Sequence, residues 1–368
     1  MAQPATPHRS PEFEAMGAET AAGLGRVFRT TNPVLTIAGS GSAAVEAALW
    51  SLAQPGGAIV ACANGKFGKR WQTVADRVSS ANGGQSVYVS APWGEPISPD
   101  ALAETLKKTP NVSVVVFVHC ETSAATLSDA KTLAAVVREQ APGAMVIVDA
   151  ITTVGAIEVE PDEWGLDAVA CASQKALGLP PGLGFISVGE RARDRLSESS
   201  AGSIPLYFDL REYLHAHERG ASPFTPAISL HYGLAESLRL IEAEGVEARW
   251  RRCARLAGAV RSALPAMGLS LASQAPCDSV TAVFVPDGLA DPVRAWCKAQ
   301  RQVVFAGGQD EWKGRVIRMS HMGNVGVDET IAGIEAIAGA LDALAPGRFD
   351  TAAGARSVRD ALTKEAVG

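Results

Sequence analysis

The sequence predicts an α/β fold, with a mainly parallel seven-stranded sheet in a large N-terminal part and a smaller C-terminal α+β part. Three observations predict it. The chain has 368 residues, more than one hydrophobic core usually organises, so two units are expected. From residue 34 to about 190, short runs rich in β-branched residues alternate with amphipathic stretches, as strand–helix units of a parallel sheet do. From Ala227 onward that alternation gives way to long helical stretches.

The expected strands are Val34–Ala38, Ala58–Ala61, Ser86–Val89, Val112–His119, Met145–Asp149, Ala168–Ala172 and Gly184–Val188. Between them, Ser42–Gln54, Gly68–Ala81, Pro99–Lys108 and Leu127–Gln140 carry helical spacing. Ser98 ahead of Pro99 sets a capping hydroxyl beside an N1 proline. An Ala/Leu/Arg-rich helical region then runs from Ala227 to about Met267, interrupted near Gly245. Val280–Val285, a helix over Pro292–Ala299, Val303–Ala306, Arg315–Met319 and a last helix over Asp328–Leu344 complete the pattern. The expected units are residues 1–240 (with an N-terminal arm and helix in 1–30), 241–346, and a weakly patterned tail over 347–368, read as a loose helix.

Composition narrows the function. Net charge is −6, from 39 acidic and 33 basic residues, and no Lys/Arg block occurs, so a nucleic-acid partner is not expected. The six cysteines are scattered without a CxxC pair, which speaks against a disulfide framework and a zinc site. The first sixteen residues, MAQPATPHRSPEFEAM, contain no apolar core of a secretory signal. The longest apolar run, around Val112 to Val118, is too short to span a bilayer. The expectation is a cytoplasmic enzyme with no membrane partner.

Three features lie at the C-terminal ends of expected strands, where open α/β sheets bind ligands. Gly39-Ser40-Gly41-Ser42 precedes an Ala-rich helix; it suits a phosphate at a helix N-terminus, and equally an ordinary Gly/Ser turn. It is neither a P-loop nor a complete GxGxxG. Asp149 ends a strand, where a carboxylate can hold a ring nitrogen protonated or simply cap the next turn. Lys175 follows Ser173-Gln174 just past a buried strand. Desolvation there would supply a neutral amine, while taken alone it also reads as a surface lysine.

In combination, a Gly/Ser loop, a strand-end Asp and a strand-end Lys stand in the order of a fold-type-I pyridoxal-phosphate enzyme. The chain resembles the class V aminotransferases of the alanine–glyoxylate and serine–pyruvate group. The resemblance rests on HRSPEF (8–13), GSGSAAVEAAL (39–49), NGKFGKR (64–70), HCETSAATL (119–127), VDAITTVGA (148–156), SQKALGLPPGLG (173–184), FTPAISL (224–230) and RVIRMSHMG (315–323), in the family's order over almost the whole chain. It implies Lys175 as the Schiff-base lysine and proton shuttle, and Asp149 as the partner of the pyridinium nitrogen. It implies Ser40, Gly41, Ser42 and Gln174 around the phosphate, and Thr225 reaching the phosphate of a partner subunit, so that a homodimer shares each active site. Phe67, otherwise a core aromatic in a βα loop, matches the ring-stacking position, and Thr122 the residue near the ring hydroxyl. Arg318 resembles the clamp for the substrate carboxylate, for which a planar fork is suited. On pattern alone, Arg318 reads as an exposed strand residue whose neighbours Ile317 and Met319 face the other way.

The chain departs from the family in two places. The Gly/Pro-rich segment expected ahead of HRSPEF is represented only by MAQPATP, and Ala124-Ala125 stand where relatives often carry Thr-Gly, an extra methyl that would narrow the pocket. The leading expectation is a ping-pong aminotransferase for small α-amino and α-keto acids such as alanine, serine, glyoxylate or pyruvate. A lyase or decarboxylase on the same cofactor is one alternative. A non-catalytic fold-type-I subunit is another. Desulfurase chemistry is disfavoured because no cysteine stands in a recognisable reactive context.

Overall fold

The computed structural model describes residues 5–198, 204–286 and 288–363. Residues 1–4 of the expected arm and 364–368 of the expected tail lie outside them. Helix α1 (Pro11–Phe28) opens with Ser10 accepting from Phe13 N ahead of Pro11, and α4 (Pro99–Lys108) opens the same way on Ser98 and Pro99. The strands of the large part are β1 (Val34–Ala38), β2 (Ala58–Ala63), β3 (Gln85–Ser90), β4 (Val112–Val118), β7 (Met145–Asp149), β8 (Ala168–Ala172) and β9 (Leu183–Val188), with a two-stranded ribbon of β5 (Cys120–Glu121) and β6 (Thr126–Leu127). Helices α2 (Gly41–Leu52), α3 (Lys66–Asn82), α5 (Ala130–Gln140), α6 (Glu190–Glu198) and α7 (Leu210–His217) connect them.

The large sheet has the order β1-β9-β8-β7-β4-β2-β3, and β9 alone runs against the rest. Its central strands are buried along their whole length because helices cover both faces. The two-residue period of a strand sorts the side chains. Val60, Cys62, Val146 and Val148 enter a core with α1, α4 and α5, whereas Ile59, Ala61 and Ile147 enter one with α2, α3 and α7. This is the mainly parallel α/β architecture that the alternation predicts.

After α8 (Ile228–Glu244) and α9 (Val246–Ala266), separated at Gly245, a four-stranded antiparallel sheet forms with the order β10-β11-β13-β12. Its strands are β10 (Ser270–Leu271), β11 (Val280–Phe284), β12 (Ala306–Gly307) and β13 (Val316–Ser320), packed with α10 (Ala290–Arg301), α11 (Val327–Leu344) and α12 (Thr351–Thr363). The segment expected as a loose tail contains α12, which buries Gly354, Val358 and Leu362 in the core shared with α9 and α11. Two local expectations change in kind. Leu127 pairs with Cys120, and α5 starts only after Asp129, whose side chain accepts from Thr132 N. Of Val303–Ala306, only Ala306 enters a strand. Among the described residues no helix is long and apolar enough to cross a membrane.

Candidate active site

Of the six strands that run in one direction, β1, β2, β4, β7 and β8 lead into the candidate residues at one edge of the large sheet. The candidate residues sit where these strands release the chain. After β1, Ser40 is the N-cap of α2 in an extended conformation, and its hydroxyl makes no capping bond. At Gly41 a Cβ would stand 2.8 Å from Ile151 Cδ1 and 2.9 Å from Ala172 Cβ, so only glycine lets α2 begin this close to the ends of β7 and β8. The first N–H groups of α2 therefore face that edge with the positive end of the helix dipole.

After β2, Gly65 precedes α3. A Cβ there would lie 2.4 Å from Glu121 Cγ and 2.6 Å from Ser123 Oγ. Glu121 is fully buried, and its carboxylate accepts from Phe67 N and Gly68 N, both at 2.9 Å, and from Ser123 N at 3.1 Å and Ser123 Oγ at 2.5 Å. A carboxylate from β5 thus satisfies the exposed amides of α3's first turn. Burial raises the Glu121 pKa, and these donors oppose the rise.

Phe67, Arg70 and Trp71 occupy positions i, i+3 and i+4 of α3, so one side of the helix carries all three. The Arg70 guanidinium carbon lies 5.0 Å from the Phe67 ring centroid, and Arg70 Nη1 donates to Ser42 Oγ at 2.7 Å. Trp71 is fully buried and donates its indole N–H to Asp149 Oδ2 at 2.9 Å. Asp149 Oδ1 accepts from Ile151 N at 3.0 Å. Burial pushes the Asp149 pKa up to about 6, against the pull of the Ile151 and Trp71 donors.

Beyond β8, Ser173 Oγ donates to Pro180 O at 2.8 Å and accepts from Leu183 N at 3.2 Å, closing the loop that presents Gln174 and Lys175. Gln174 Oε1 is buried without a hydrogen-bond partner among the described residues. Lys175 is half-buried; burial lowers its pKa, Arg318 lowers it further, and Asp149 pulls it back up.

Arg318 enters from the small sheet. The strand alternation is as expected, but the face it shares with Val316 is covered: Val316, Val280 and Ala282 pack against Cys120, Ala124 and Ala125. Arg318 is accordingly half-buried rather than exposed. Its Nη1 donates to Thr122 O at 2.8 Å and its Nε to Gly307 O at 3.0 Å, and it has no ion-pair partner among the described residues. The Thr122 hydroxyl is 3.2 Å from Thr152 Oγ1. Ala125 is buried at φ 56, a left-handed backbone, so its methyl acts on chain geometry as well as on space.

The structure thus gathers Ser40, Gly41, Ser42, Phe67, Thr122, Asp149, Gln174 and Lys175 at one sheet edge and brings Arg318 to it. Thr225 stands apart: it is exposed, ahead of α8, and lines a cleft with α1 that none of the other candidates lines. The sequence alone does not single out Glu121, Arg70 or Trp71. The i, i+3, i+4 spacing of Phe67, Arg70 and Trp71 is visible only once α3 is known to start before Gly68.

Residues 6–309 match the family described as aminotransferase class-V. The chain is 36% identical over 362 residues to the soluble hydrogenase small subunit of a Synechococcus strain, covering 97% of this chain and 92% of that protein. It is 31% identical over 338 residues to the L-aspartate–glyoxylate aminotransferase of Paracoccus denitrificans, covering 90% and 84% respectively. The solved pyridoxamine–pyruvate aminotransferase of Mesorhizobium loti superposes with a TM-score of 0.90 at 28% identity, over 98% of this chain and 92% of that one.

Proposed function

We propose, for a chain that belongs to the class-V aminotransferase family and is a pyridoxal-phosphate-dependent transaminase of fold type I, that it moves an amino group between small α-amino and α-keto acids in two half-reactions. The observation that carries this reading is the meeting of three groups at one sheet edge: a half-buried lysine of lowered pKa, a buried strand-end carboxylate, and an arginine without an ion-pair partner among the described residues.

The residues present fit the cofactor. Gly41 and Gly65 keep space that a Cβ would fill. Gln174 Oε1 is buried and lacks a partner among the described residues, and the amide can be turned to present its N–H there instead. Ser40 and the start of α2 offer unpaired donors for a phosphate. Arg70, bonded to Ser42, adds positive charge beside that group. Asp149 would hold the protonated ring nitrogen, Phe67 would lie against the ring, and Thr122 would stand near its hydroxyl.

When bound, the cofactor supplies a carbonyl carbon for the substrate amine and an electron-withdrawing ring that makes the Cα proton acidic. Lys175 Nζ would carry the covalent link at rest. Once the substrate amine displaces it, the neutral amine would take the proton from the substrate Cα and deliver one to the cofactor carbon on the other side of the shared nitrogen. Burial serves this role, because the uncharged amine is the base. The remaining N–H groups of Arg318 would hold the substrate carboxylate in a fork and so orient Cα toward Lys175.

Relatives named for glyoxylate and pyruvate support small keto acids as acceptors. In this reading, residues 1–240 hold the cofactor and 241–346 carry the clamp. Thr225, which lines the cleft beside α1, serves the phosphate of a partner subunit in a homodimer. Six free, buried cysteines are in keeping with the cytoplasm.

Borohydride reduction of the holoenzyme, followed by peptide mass analysis, should find the phosphopyridoxyl adduct on Lys175. An adduct elsewhere, or none, overturns the assignment. With alanine, serine or aspartate alone, the cofactor spectrum should convert to the amine form and return on addition of glyoxylate or pyruvate. Release of ammonia or CO₂ without that cycle would select a lyase or decarboxylase.

A second reading rests on the names of two relatives, both hydrogenase subunits. Under that reading the chain works within a larger assembly. The meeting of Lys175, Asp149 and Arg318 speaks against a purely non-catalytic subunit.

A further inference from the structure

We propose that Trp71 is the positioning residue for Asp149, its indole N–H fixing the rotation of the carboxylate that would pair with the cofactor's ring nitrogen. The inference rests on the role given to Asp149 above. Asp149 follows Ile147 by two residues on β7, so its side chain leaves the sheet on the face packed by α3. Trp71 belongs to that core and is fully buried, so its ring cannot swing away. The carboxylate is thereby held at both oxygens: Oδ1 by Ile151 N at 3.0 Å and Oδ2 by Trp71 Nε1 at 2.9 Å.

The chemistry of the donor matters as much as its place. An indole N–H donates and cannot accept, so it cannot compete for a proton on the ring nitrogen as a hydroxyl could. It also favours the charged carboxylate, which burial and the nearby Glu121 both disfavour. The other ionisable groups whose charge couples to Asp149 are Arg70, Lys175 and Cys171. Trp71 stands one turn after Phe67, so a single helix would deliver both the ring against the cofactor and the support beneath its anchor.

The test compares wild type, Trp71→Phe and Trp71→His, each measured for pyridoxal phosphate affinity and for the pH at which cofactor leaves on acidification. Trp71→Phe keeps a ring and removes the donor. It should bind cofactor about tenfold more weakly and release it about one pH unit higher, because a lost donor to the charged form raises the Asp149 pKa. Trp71→His, with a ring N–H, should recover part of both. In an Asp149→Ala background, Trp71→Phe should add nothing. A Trp71→Phe variant that melts earlier yet matches wild type in affinity and acid release overturns the proposal, as does equal weakening in the Asp149→Ala background. Should Trp71→Phe fail to fold, the indole ¹⁵N–H signals of the wild type decide. One of the seven should shift when cofactor binds and when Asp149 is changed to Asn; none shifting overturns the proposal. A wild type that forms no adduct at Lys175 overturns the functional reading and this inference together. A normal wild type with an indifferent Trp71→Phe overturns the role of Trp71 alone.

Discussion

In the large sheet the candidate residues stand where the chain leaves a strand end, whereas in the small sheet Arg318 stands in the middle of β13. The first arrangement follows from local backbone geometry: parallel strands end together, and turns too tight for a Cβ, as at Gly41, bring the next helix onto the edge. The second depends on two layers packing, since Arg318 meets the large part through a single hydrogen bond to Thr122 O and the apolar patch around Val316. Cofactor and substrate functions should therefore separate by variant. The large-sheet edge should govern cofactor affinity, and Arg318 should govern turnover of substrate.

The largest expected effect tests that separation directly. Arg318→Lys keeps the charge but loses the fork, and kcat/KM for the amino donor should fall on the order of 10²–10³-fold. Cofactor affinity, measured by equilibrium dialysis, should stay within about twofold. A comparable fall in cofactor affinity would show that the two sheets do not act separately.

Asp149 sharpens the comparison from the other side, because the edge carries a buried charge at the expense of stability. An acid whose folded pKa is raised binds its proton more readily folded than unfolded. Its penalty is therefore absent below the unfolded value of 3.8 and complete above about 6. Asp149→Asn removes that penalty, so the apoprotein should gain on the order of 3 kcal/mol above pH 7 and almost nothing near pH 4. Urea unfolding midpoints at the two pH values check it. A gain of equal size at both would mean that charge burial is not its origin. The same variant should bind cofactor far more weakly.

Gly65→Ala probes the joint between Glu121 and α3. The new Cβ would meet Glu121 Cγ at 2.4 Å, and relief requires moving the carboxylate that holds Phe67 N and Gly68 N. A loss of about 1–3 kcal/mol in stability is expected, with weaker cofactor binding. Gly143→Ala, where nothing lies within 4 Å, is the control and should be neutral. Equal behaviour of the two variants would remove Glu121 from the account.

Much of this edge is legible in the sequence, for a physical reason. Strands buried on both faces must be continuous apolar runs, so Met145–Asp149 and Ala168–Ala172 have the same ends in sequence and structure, and their flanking residues announce themselves. What the sequence hides is whatever a distant residue supplies. Read locally, α3 begins at Gly68 and leaves Phe67 in a loop. The Glu121 carboxylate, from another strand, satisfies the amides that start the helix at Lys66. Alternation correctly sends Arg318 away from Ile317 and Met319, but only packing of the two layers shows that its side is covered. Helices α6 and α7, between Glu190 and His217, leave little trace in the sequence, because each buries only two or three residues and the apolar stripe is thin.

The smallest expected effect falls at Arg70, a cation bonded to Ser42 of the proposed phosphate seat. Ser40, Gly41, Ser42, Gln174 and Thr225 are all uncharged, so a phosphate dianion there would rely on helix dipole and hydrogen bonds unless Arg70 contributes. Arg70 Nη1 already holds Ser42 Oγ at 2.7 Å, and the guanidinium rests over Phe67, which limits its wandering. The residue is exposed, however, and solvent and salt screen an exposed charge strongly. Arg70→Gln should therefore weaken pyridoxal phosphate binding by about five- to tenfold at low ionic strength and by less than about twofold near 1 M salt. Binding measured across a salt series checks it, with pyridoxal, which lacks the phosphate, as the control that should not respond. A loss that ignores salt would mean that Arg70 acts by orienting Ser42 and Phe67. The edge would then be assembled by geometry there too, as it is at Gly41 and Gly65.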